Sequence, residues 1–89
     1  MKICVTQEDI DKGVPFNASS PIALAIKREL NAEAVSVSHN SVLVWSADVV
    51  GATRFRITYK MKQFIKKFDI AKSSYGELPE PFCFELEDL

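Results

Sequence analysis

Two spacings of apolar residues alternate along this chain of 89 residues, and together they leave few folds open to it. Val35 and Val37 alternate with Ser36 and Ser38. Phe55, Ile57 and Tyr59 alternate with Arg54, Arg56 and Thr58. Phe82, Phe84 and Leu86 alternate with Cys83, Glu85 and Glu87. Period two marks a strand with one face against a core. Interleaved with these runs are two stretches of helical spacing. In the first, Ser20 is a cap residue and Pro21 suits the first helical position. Ile22, Leu24, Ala25, Ile26 and Leu30 follow, with Lys27, Arg28 and Glu29 on the wet side. This predicts a helix over 20–31, ending at Asn31. In the second, Thr58 caps a segment carrying Met61, Phe64, Ile65 and Phe68 on one stripe.

The intervening pieces complete the order. Ile3 to Thr6 is a short β run. Thr6-Gln7-Glu8-Asp9 reads as a helix start, which Gly13 and Pro15 stop at once, and 14–19 reads as a loop. Val42 and Val44 alternate with Leu43 and Trp45, so that run is apolar on both faces. With His39-Asn40 between it and the preceding run, the pair predicts a β-hairpin. Residues 48–52 connect around Gly51, and 69–81 are expected to be irregular. The expected order is β-α-β-β-β-α-β: an α+β single domain over 1–89, with two helices on a mainly antiparallel sheet of four or five strands.

Composition agrees with one globular domain. Hydrophobic residues make up 47% and charged residues 26%, which argues against disorder. The longest unbroken apolar run, Ile22 to Ile26, is far short of the roughly 20 residues a membrane helix needs. The opening Met1-Lys2-Ile3-Cys4-Val5, followed by Gln7, Glu8 and Asp9, is too short and acidic for a secretory signal, so a cytoplasmic location is expected. Cys4 and Cys83, one near each end, sit in apolar runs and are read as small hydrophobes. A disulfide requires the first and last strands to pair, and a reducing cytosol disfavours it.

No catalytic constellation stands out. One histidine and two distant cysteines make no zinc pattern, and Glu8, Asp9 and Asp11 lack calcium-loop spacing and read as solvated acids at a helix start. His39 falls at a hairpin turn, where exposure is the norm. Three glycines cannot build a phosphate-cradling loop. The expectation is a non-enzyme with no metal and no cofactor.

Charge is the one functional signal. Residues 54–76 carry Arg54, Arg56, Lys60, Lys62, Lys66, Lys67 and Lys72 against Asp69, a net of +6. Residues 77–89 carry Glu77, Glu80, Glu85, Glu87 and Asp88 with no base, and the whole chain carries −1. Such segregation bears on partners rather than fold. Arg54, Arg56, Lys60, Lys62, Lys66 and Lys67 are the candidate contact residues for carboxylates or phosphates, with Trp45 and Tyr59 as aromatic candidates. Three occupants stay open: water alone, an acidic protein, or a nucleic acid or nucleotide, the last opposed by a pI near 5.8. The acidic end either blocks edge pairing of a terminal strand or neutralises the basic segment, within the chain or across a homodimer.

Ile3-Cys4-Val5-Thr6-Gln7-Glu8-Asp9-Ile10 with Gly13, Ser20-Pro21-Ile22-Ala23-Leu24-Ala25-Ile26-Lys27-Arg28, Phe68-Asp69 and Pro81-Phe82-Cys83-Phe84-Glu85-Leu86 are shared features of another kind. Together they resemble a group of short uncharacterised proteins of bacteriophages and bacterial genomes. That group often has cysteine where this chain has Ser20. The resemblance carries no activity. It implies a small accessory protein of a phage or mobile element, at work in the host cytoplasm. The expectation is therefore a non-enzymatic protein that binds a host protein, with a host defence system as the target considered. Weak nucleic-acid or nucleotide binding through the 54–67 surface is the alternative. A structural homo-oligomer held by its apolar strand face is a third.

Overall fold

A computed structural model describes residues 1–74 and 76–89. Tyr75, within the connection expected over 69–81, lies outside the described residues. The elements are β1 (Lys2–Val5), α1 (Gln7–Lys12), α2 (Pro21–Leu30), β2 (Ala34–Val37), β3 (Ser41–Trp45), β4 (Ala52–Arg56), α3 (Tyr59–Ser73) and β5 (Phe82–Glu85). The α+β class is as expected, with three differences of detail.

First, the Thr6 start is a complete short helix. Thr6 Oγ1 accepts from the Asp9 N–H at 3.2 Å, and Asp9 Oδ2 accepts from the Thr6 N–H at 2.9 Å, a reciprocal capping box. Asp9 is not the solvated acid its neighbours Glu8 and Asp11 are. It is only 6% exposed, because Arg28 of α2 reaches its carboxylate and also donates to the Cys4 carbonyl at 2.9 Å. One guanidinium thus ties α1, α2 and β1 together. α1 ends at Gly13, where a Cβ would lie 2.7 Å from the Pro21 ring, so only glycine lets the two helices meet this closely.

Second, α3 runs on through Ser73, beyond the expected start of the irregular connection at 69. Its caps match the sequence pattern: Thr58 Oγ1 accepts from the Met61 N–H, as Ser20 Oγ accepts from Ala23 at the start of α2. Nothing in 69–73 breaks a helix, and Phe68 extends the buried stripe of Met61 and Phe64.

Third, the strands form two antiparallel sheets, β1-β5 and β2-β3-β4, rather than one. The chain beyond β5 joins them: the Arg56 N–H donates to the Glu87 carbonyl at 2.8 Å, and Phe55 and Asp88 form a single antiparallel bridge. Val35, Val37, Val42 and Val44 turn one face of the larger sheet toward Ile22, Ile26, Met61, Phe64 and Phe68, and Ile3, Val5 and Phe84 close the core from the smaller sheet.

The cysteines do not behave as separate apolar thiols. Cys4 and Cys83 stand opposite one another in the β1-β5 register, 4.0 Å apart at Cα, and are joined by a disulfide. Pairing of the first and last strands brings them together. Both residues are half-buried. The carbonyl of each accepts from a cation, Arg28 on one side and Lys60 at 2.8 Å on the other.

Candidate functional site

In antiparallel strands, residues directly opposite share a face. The β2-β3-β4 register pairs Ser36 with Leu43 and Leu43 with Arg54. It also pairs Ala34 with Trp45, Trp45 with Ala52, and Ser41 with Arg56. All these residues lie on the face opposite the buried valines, and none belongs to the core. Leu43 is half-buried, Trp45 is 36% exposed, and Arg54 and Arg56 are exposed. The alternation that was apolar on both faces therefore has a plain meaning: Val42 and Val44 face the helices, and Leu43 and Trp45 form an apolar centre on the outer side, flanked by two arginines. In the β3–β4 loop, Val49 and the fully exposed Val50 are further exposed apolar side chains.

Among the described residues neither arginine enters an ion pair. Among the described residues no acid of the 77–89 segment comes within ion-pair distance of them, although Glu87 stands beside Arg56 in backbone pairing. Glu87 and Asp88 are held against the β4 edge by backbone pairing, and both arginines stay open. This placement is the edge-blocking use of a charged terminal segment.

The lysines do not join that face, and α3 divides them. Residues four apart share a helix face, whereas two apart point nearly opposite ways. Lys60 turns toward β5, donating to the Cys83 carbonyl and standing 5.6 Å from the Phe82 ring centroid. Lys67, seven residues on, lies on the same flank of the helix and is exposed. Tyr59, at the start of α3, is 66% exposed. Lys62 and Lys66 turn the other way, into a cleft of about 530 Å³ between α3 and the β2–β3 turn.

The cleft collects residues that sequence spacing could not connect. The end of β2 contributes Val37, the turn after it Ser38 and His39, and the loop before α2 contributes Asn17. From α3 come Lys62, Ile65, Lys66, Asp69 and Ile70, the i, i+3, i+4, i+7, i+8 set of one helical face. His39 is exposed, as a turn residue should be, yet it forms part of this wall. Partial burial raises the Asp69 carboxyl above its ordinary value.

Among the described residues no helix is long and apolar enough to cross a membrane, and no three His, Cys, Asp or Glu side chains gather where they could hold a metal ion. No family model matches the chain, and no curated protein or solved structure matches it at a significant level.

Proposed function

We propose that the protein is a non-enzymatic binding protein that docks on an acidic surface of a protein partner through the outer face of its three-stranded sheet. The observation that supports this is the convergence, on a face outside the core, of Leu43 and Trp45 with Arg54 and Arg56, which enter no ion pair among the described residues. Trp and Arg are enriched among the residues that carry interface binding energy, and the arginines favour carboxylates as counterparts. With the setting that the phage resemblance implies, the partner is a host protein in the host cytoplasm, with a defence component as the target class. In a reducing cytoplasm Cys4 and Cys83 would face one another as thiols; in an oxidising compartment they would stay bonded.

Affinity capture with tagged protein from host lysate, before and after nuclease, tests the reading. The expected result is one stoichiometric protein that survives nuclease and is lost with the Arg54→Glu/Arg56→Glu pair. Capture that depends on nucleic acid would replace this reading with phosphate-backbone binding through the same arginines. A complex of fixed size at all salts that contains only the bait would replace it with self-assembly.

A further inference from the structure

We propose that the cleft between α3 and the β2–β3 turn binds a small phosphate monoester with a flat apolar or heterocyclic body, the chemical class of a nucleoside monophosphate. The inference is independent of the sheet-face reading, since no residue is shared.

Four observations converge. The cleft's volume, about 530 Å³, suits a ligand of this size. Lys62 and Lys66 lie one helical turn apart on its wall, so their ammonium groups can straddle one anion. Among the described residues neither lysine makes a side-chain hydrogen bond or ion pair, whereas Lys12 is bound to Glu8 and Lys60 to the Cys83 carbonyl. His39 adds an exposed imidazole on the turn side, while the Ser38 hydroxyl is engaged within the turn, donating to the Ser41 carbonyl and accepting from the Asn40 and Ser41 N–H groups.

The charge and shape then select the ligand. A phosphate monoester carries nearly two negative charges at neutral pH and several acceptor oxygens. Two lysines with a histidine match that better than they match a single carboxylate. Ile65 and Ile70 supply a β-branched apolar wall beside the lysines, which an ion alone would leave wet and a flat ring would cover. Asp69, one turn beyond Lys66, repels the phosphate end and can accept from an N–H or hydroxyl on the body, so it orients the ligand.

The test is an amide NMR titration of the full chain with adenosine monophosphate, phenyl phosphate, benzoate and inorganic phosphate. Saturable shifts confined to residues near 17, 37–39 and 62–70 are expected. Both esters should bind about tenfold or more tighter than inorganic phosphate, because their rings cover the apolar wall. Lys66→Ala should weaken ester binding about tenfold or more by removing a charge-assisted contact, and Asp69→Asn should tighten it for phenyl phosphate. The Arg54→Glu/Arg56→Glu pair should leave it unchanged. Absence of saturable shifts overturns the proposal, as does inorganic phosphate or benzoate binding as tightly as the esters. Insensitivity to both Lys66→Ala and Asp69→Asn overturns it equally.

Discussion

Breaking the Cys4–Cys83 bond should cost this domain a large part of its stability. The bond closes a loop spanning a sequence separation of 79 residues, nearly the whole chain. In the chain-entropy description, opening a loop of about 80 residues returns roughly 15 cal/mol/K to the unfolded ensemble, or about 4.5 kcal/mol at 25 °C. A domain of this length has roughly 4–13 kcal/mol in all. The half-buried sulfurs add little packing energy of their own, so the effect lies chiefly in the unfolded state. The assay is urea unfolding followed by far-UV circular dichroism, comparing the oxidised chain, the chain in excess dithiothreitol, and the Cys4→Ala/Cys83→Ala variant. Both perturbed forms should lose about 3–5 kcal/mol and show a steeper denaturant dependence, because the uncrosslinked unfolded chain exposes more surface. Hydrogen exchange should rise first in β1, β5 and the segment at 87–88, since these share the released edge. A loss below about 1 kcal/mol on reduction would refute the reasoning: it would mean that strand pairing and the Arg28 and Lys60 contacts hold the two termini as tightly without the bond.

Other consequences follow from particular contacts. Gly13→Ala sets a methyl 2.7 Å from the Pro21 ring and 2.8 Å from the Asp9 carbonyl; it should destabilise by about 1–3 kcal/mol in the same assay, and an unchanged midpoint would contradict the close approach of α1 to α2. Asp69 holds its proton more tightly folded than unfolded, so its carboxylate penalises the fold at neutral pH, and the penalty disappears as pH falls through its raised folded-state value. Asp69→Asn should therefore raise Tm at pH 7 and lose that advantage in acid; a Tm difference that grows on acidification would show the opposite sign. Removing residues 87–89 takes away the Glu87 carbonyl and the Asp88 bridge from the β4 edge. The truncated chain should self-associate with concentration in sedimentation, and a strict monomer would show that β4 needs no cover.

Sequence alone determined what is local. Ser20, Thr58 and Thr6 cap their helices because a side-chain oxygen two or three residues upstream meets an orphan N–H regardless of the rest of the chain. The hairpin of β2 and β3 and the buried stripe of α3 follow from spacing, because backbone geometry fixes which side chains share a face. The segregation of charge was equally plain, but what it meant was not. Spacing assigns residues to faces without saying which faces meet. Lys60 and Lys62 look alike in sequence, yet tertiary structure sends one to the Cys83 carbonyl and the other into a cleft with His39. Asp9 became buried because Arg28, nineteen positions away, came to it. Cys4 and Cys83 became a pair because the terminal strands met in register. Arg54, Arg56 and Trp45 became one surface only when β3 and β4 aligned. Contacts between distant segments depend on how the apolar faces of all the elements close on one core, and only the tertiary structure decides that.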